Sequence, residues 1–142
     1  MLVRLLYVSR AADGLSAAMI DEIVAQSRKN NPEAGLTGLL CHSGSIFMQV
    51  IEGGRPAVSA TFARILRDPR HRDVELLVFE EISERRFAGW VMGRANLEKI
   101  NRSLLLKYSE KAVFDPYAVS GSASMALLEE LLATASIATC GG

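Results

Sequence analysis

Ser45-Ile46-Phe47-Met48-Gln49-Val50-Ile51-Glu52 is the most apolar strand-like run in this 142-residue chain, and a glutamine interrupts it. A primary amide brings two donors and an acceptor. Left unpaired in a core, such a group costs roughly 1–3 kcal/mol. The run therefore announces a buried strand whose central side chain has a polar partner elsewhere in the sequence.

Working outward, Leu36 to Cys41 reads as the preceding strand. His42-Ser43-Gly44-Ser45 supplies the turn chemistry of a hairpin. On the other side Gly53-Gly54 breaks the run, and Pro56 opens a helix where its missing N–H costs nothing. Val58, Phe62, Ile65 and Leu66 give that helix an amphipathic stripe before Asp68-Pro69 ends it. Val74 to Ile82 is a fourth strand and Phe87 to Arg94 a short fifth. At the N-terminus, Leu2 to Ser9 is strand-like with Val3, Leu5, Tyr7 and Ser9 on one face. Asp13-Gly14 turns the chain, and Ser16 caps a helix running to about Lys29, where Asn30-Asn31-Pro32 stops it. The order βαββαβ plus one strand predicts an α+β, ferredoxin-like βαββαββ sheet with both helices on one face.

Residues 1–95 hold that pattern, and 96–142 read as a helical extension. One helix is expected over Asn96 to about Ser109, carrying Leu97, Ile100, Leu104 and Leu105. A second is expected over Ser124 to Ser136 with Met125, Leu128, Leu131 and Leu132. Docked on the open sheet face, these helices would cover it. Their apolar stripe exceeds what one face needs, which leaves some of it for a subunit or a partner.

Composition narrows the function. Lys plus Arg and Asp plus Glu number 16 each, so no basic excess tracks a phosphate backbone and direct nucleic-acid binding is not expected. No segment reaches the ~18 apolar residues of a membrane span, and the start lacks a leader pattern. A cytoplasmic protein without membrane attachment is expected. Cys41 and Cys140 make no ligand spacing, and His42 and His71 stand alone, so no metal site is expected.

Adjacent first and third strands would bring Tyr7 and Gln49 to the same face. From these two alone, a core-stabilising Tyr–Gln bond and a ligand site are equally good readings. Asn31, at the end of the first helix on that side, is a third polar group; it is either a helix-stop residue or a donor–acceptor suited to the imide edge of a flavin. Alternation places Trp90 and Met92 on one face of the fifth strand, ordinary packing if taken in isolation.

Taken in order, Tyr7-Val8-Ser9, Asn31 before Gly35-Leu36-Thr37-Gly38, Phe47 to Gly53, Arg67-Asp68-Pro69-Arg70-His71 and Arg85 to Met92 resemble the BLUF family of blue-light photoreceptors using flavin, over residues 1 to about 95. The resemblance implies a flavin between the two helices, FAD with FMN as the alternative. Tyr7 matches the photochemical tyrosine and Gln49 the amide that rearranges. Asn31 matches the ring anchor, Arg70 a position at the ring's carbonyl edge, and Trp90 and Met92 the relay pair. It implies a short, non-enzymatic sensor without a fused effector. Such a sensor would form a homo-oligomer and signal to a separate protein such as a cyclic-dinucleotide phosphodiesterase or a transcriptional regulator. The competing classes are a flavin-dependent redox enzyme, for which the sequence nominates no substrate acid–base group, and a ligand-free interaction module.

Overall fold

The run around Gln49 is the central strand of a five-stranded sheet. The computed structural model describes residues 1–12 and 16–134; the Asp13-Gly14 turn, Ser136 and Cys140 lie outside them. In chain order the elements are β1 (Leu2–Ala11), α1 (Ala17–Ala34), β2 (Thr37–Ser43), β3 (Ile46–Gly54), α2 (Arg55–Arg67), β4 (His71–Ile82) and β5 (Gly93–Asn96). A 3₁₀ turn (Leu97–Lys99), α3 (Arg102–Tyr108) and α4 (Gly121–Ala133) complete it. The strand order β4-β1-β3-β2 is the ferredoxin-like one, with β5 added parallel to β2.

Alternation along β1 and β3 sorts the two faces. Val3, Leu5, Tyr7, Phe47 and Ile51 pack under α1 and α2, while Leu6, Met48 and Val50 point the other way. That second face is covered by the C-terminal segment: Leu105, Phe114, Leu128 and Leu131 join Leu39, Cys41 and Phe87 in one core. The expected surplus stripe is thus consumed. Leu97, Leu128 and Leu131 are buried, and Ile100, Leu104 and Leu132 pack against the same cluster.

β1 reaches Ala11, β4 starts at His71, and Gly53-Gly54 continue β3 instead of breaking it; four further boundaries also differ from the sequence reading. First, α1 runs past Pro32 to Ala34. A proline in the last turn removes a single donor, and a Schellman closure secures the end: Gly35, at φ 70°, donates to Pro32 O, and Leu36 N donates to Asn31 O. Asn31 consequently stays helical and buried. Second, Phe87–Met92 is irregular and β5 begins only at Gly93. The backbone N–H groups of Arg86 and Phe87 are taken by the Glu52 carboxylate rather than by a ladder. Third, the segment after Asn96 is two short helices, because Asn101 accepts from Ser103 N and starts α3 afresh. Fourth, α4 starts at Gly121, where Ser120 caps it. Leu66 is also exposed; eight residues on, it has rotated about 80° from Val58, off the contact line.

Gly38 shows how tightly β2 is laid down. A Cβ there would stand 2.1 Å from Val50 O, so any side chain would wedge β2 away from β3.

Candidate functional site

The core beneath α1 and α2 is two clusters rather than one. Ile20, Ile23, Val24, Leu40, Phe47 and Met92 pack under α1; Val3, Leu5, Tyr7, Ile51 and Val58 pack under α2. Between them opens a cavity of about 180 Å³, several times the ~30 Å³ share of one water. It is lined by Tyr7, Gln49, Asn31, Asn30, Met92, Arg64, Asp68, Arg70 and His71 among others.

Tyr7 and Gln49 form its floor. They are direct cross-strand partners on β1 and β3, and Tyr7 Oη donates to Gln49 Oε1 at 2.5 Å. Burial, with Asp68 nearby, pushes the Tyr7 phenol above its ordinary range, so it stays protonated. The other end of the amide donates to Met92 Sδ at 3.5 Å. Sulfur is a weak acceptor, so one end of Gln49 is bound well and the other loosely. Such an amide has a second orientation within reach of the same neighbours.

Asn31 Nδ2 donates to Val91 O at 2.9 Å, tying α1 to the residue before Met92. One donor is spent there, and the remaining donor and acceptor suit a ligand edge. If the cavity holds the flavin that the resemblance implies, Asn31→Ala should weaken its retention by about 1 kcal/mol, read as roughly a fivefold faster loss on dilution. Arg70 lies on the cavity wall: it grips Asp68 through Nε and Nη2 (2.7 Å) and reaches Gln26 of α1 at 3.3 Å. That hydrogen bond holds the Asp68 carboxyl below the usual carboxylate range.

Trp90 and Met92 do not share a face. Met92 lies under α1, whereas Trp90 packs on the C-terminal side, because the irregular segment crosses from one face to the other. His71 was the residue sequence reasoning set aside. It lies against Ser9 Oγ (Nδ1 at 2.8 Å), edge-on to Tyr7 and 5.4 Å from the Phe47 ring. Its place after Arg70 at the start of β4 was the available signal.

His71 and His42 are both held below the ordinary histidine pKa, chiefly by burial. The unfolded chain takes up these protons first, so stability is complete above the ordinary value and lost as pH drops below it. The melting temperature should decline between about pH 7 and pH 5, and His71→Asn should flatten part of that slope.

The family model described as "Sensors of blue-light using FAD" matches residues 2–93, well over half the chain. The chain belongs to the BLUF family. This is a family of flavin-binding blue-light sensors. The blue light- and temperature-regulated antirepressor BluF of Escherichia coli is 33% identical over 98 residues, covering 69% of this chain and 23% of that one. Among solved structures, BlrB in its dark state is 33% identical with a TM-score of 0.76, covering 94% of this chain and 96% of that one. The photo-activated state of BlsA is 27% identical with a TM-score of 0.82, covering 93% and 95%. This BLUF chain spans less than a quarter of the length of the first curated relatives it matches. Among the described residues no helix is long and apolar enough to cross a membrane, and no group of His, Cys, Asp and Glu could hold a metal.

Proposed function

We propose that this chain is a non-enzymatic blue-light photoreceptor whose switch is the Tyr7–Gln49 pair. The observation that carries the reading is the amide of Gln49, with Tyr7 Oη at 2.5 Å on one end and, among the described residues, the Met92 thioether on the other. Gln49, Asn31 and Arg70 would hold the ring of the flavin in the cavity, with Met92 and His71 beside it. When bound, the flavin supplies light absorption and an excited-state electron acceptor. Tyr7 would serve as the electron donor, with its phenolic proton held on the hydrogen bond to Gln49 Oε1. Once the electron and proton had returned, the Gln49 amide would be left rotated or tautomerised, donating toward Tyr7 instead of toward Met92. The chain forms no bond to the cofactor, so the change reverses in darkness. FAD is the cofactor the family description supports, with FMN the alternative.

Residues 1–95 act as the sensing unit and 96–142 as a helical extension that carries the signal. The receiver is a separate protein, either a cyclic-dinucleotide phosphodiesterase or a transcriptional regulator. Two relatives' names support that range, an antirepressor in Escherichia coli and Klebsiella pneumoniae BlrP1 in complex with cyclic diGMP, while a photoactivated adenylate cyclase subunit in Euglena gracilis lies outside it. A cytoplasmic homo-oligomer that does not itself bind nucleic acid completes the proposal.

The test is an absorption spectrum of the purified yellow protein before and after blue light, without reductant. A red-shifted flavin band that recovers in the dark is expected. Bleaching to reduced flavin that needs oxygen to return would favour a redox enzyme. A colourless protein that takes up no added FAD or FMN would favour a ligand-free module.

A further inference from the structure

Glu52 is fully buried on the far side of the sheet from the cavity, and two parts of the chain converge on it. Arg4, itself buried on β1, contacts its Oε2 through Nε at 2.9 Å and Nη2 at 2.7 Å, and its Nη1 reaches Glu80 on β4 at 2.8 Å. The remaining capacity goes to the backbone of the irregular segment: Arg86 N donates to Oε2 at 3.1 Å and Phe87 N to Oε1 at 2.7 Å. A charged carboxylate that accepts at both oxygens is a strong and geometrically specific anchor. Phe87 is also fixed by its ring, which is buried in the C-terminal core.

Five residues on, the same segment delivers Val91 O to Asn31 and Met92 Sδ to Gln49. In between, Trp90 O accepts from Gly38 N at 2.9 Å. Arg85 ties the near end to Thr37 Oγ1 at 3.1 Å and to Gly35 O at 2.7 Å, beside the C-terminus of α1. No residue between Arg85 and Trp90 lines the cavity. The position of the Gln49 partner is therefore set in part from outside the site, alongside the Asn31 bond and the packing of Met92 under α1.

We propose that Glu52, held by Arg4, is a positioning residue for the switch: it fixes where Met92 meets Gln49 and so sets how long the light state lasts. This rests on the photoreceptor reading above. Glu52→Gln would keep the shape but offer one acceptor oxygen and an NH₂ where two Arg4 and two backbone N–H donors arrive, leaving at least one backbone donor unpaired and the buried Arg4 without a counter-charge. The segment then loosens, Met92 resists rotation of the Gln49 amide less, and the barrier to dark recovery drops.

The test uses the full flavin-loaded chain as purified, comparing wild type with Glu52→Gln, Arg85→Ala and the control Glu81→Gln, whose exposed pair with Arg55 touches no part of the segment. Dark recovery in Glu52→Gln should quicken about fivefold, what a ~1 kcal/mol lower barrier gives. Arg85→Ala, a partly exposed tether whose loss leaves the core intact, should move it in the same direction. Trp90 is the sole tryptophan, so acrylamide quenching of its fluorescence in the dark reports the segment directly and should rise in both variants but not in the control. A Glu52→Gln protein that melts earlier yet keeps wild-type recovery and Trp90 quenching would make Glu52 merely structural and overturn the proposal. If Glu52→Gln fails to fold, Arg85→Ala with both readouts unchanged overturns it equally. A wild-type chain without any red shift would instead sink the photoreceptor reading, and Trp90 quenching would then decide alone whether Glu52 positions the segment.

Discussion

Tyr7→Phe should bind flavin as the wild type does and show no red-shifted photoproduct. The phenyl ring keeps its place against Phe62, whose ring centroid is 5.7 Å away, so the cavity keeps its walls. What disappears is the Oη donor on Gln49 Oε1. Burial holds the phenol protonated far above neutral pH, so a phenolate cannot serve as the electron donor. In the proposed switch an electron leaves cheaply only if the proton leaves with it, and the bond to Gln49 would be the path. The expected loss is of the whole signal, a hundredfold or more in photoproduct yield, roughly 3 kcal/mol or more of added barrier. An unaltered red-shifted state in Tyr7→Phe would end the switch mechanism proposed for Tyr7 and Gln49. Gln49→Leu tests the other partner: flavin should remain and the normal red-shifted state should be missing.

A chain ending at Asn96 should fail to give a soluble, cooperatively folded protein. The sheet face carrying Leu6, Leu39, Met48 and Val50, together with Phe87, is buried by the C-terminal helices. Re-exposing five such side chains at about 2 kcal/mol each comes to about 10 kcal/mol. Whole domains are stable by only about 5–15 kcal/mol. The helical extension is therefore a structural necessity, whatever it also transmits. Size-exclusion chromatography and a thermal melt decide it, and a monomeric fragment melting near the full-length chain would refute the point. A milder lesion, Leu128→Ala, should cost about 2–5 kcal/mol and leave a folded protein on which signalling can be measured.

The sheet was legible because its strands carry strong periodic signals. Gln49 within an apolar run and Tyr7 in phase with Val3 and Leu5 located the floor of the site, and the pairing Tyr7↔Gln49 bears out that placement. The walls were harder to read. Pro32 obscured the end of α1, since nothing local tells that Gly35 closes the helix over Asn31 and Pro32. Period-2 reasoning put Trp90 and Met92 on one face because it assumed a strand there. The backbone donors of that segment instead go to Glu52, a residue 34 positions earlier in sequence from Arg86. Such a long-range carboxylate contact leaves no local pattern. His71 looked isolated for the same reason: its neighbours Ser9 and Phe47 come from two other strands.

The sheet order has a consequence for synthesis of the chain. β1 is made first, yet its two flanks are β3 and β4, so its last backbone partner is residue 82. Six consecutive residues, Val3 to Val8, are buried in the finished protein. Four of them, Val3, Leu5, Leu6 and Val8, are aliphatic, and none can be secured locally. At about 5–20 residues per second, roughly 4–15 seconds pass between the emergence of β1 and the completion of β4. For that interval the nascent chain displays an unpaired, strongly β-prone edge. Nascent-chain crosslinking should find a general chaperone on residues 2–11 until β4 has left the exit tunnel, and slower translation should lower the soluble yield unless that chaperone is plentiful.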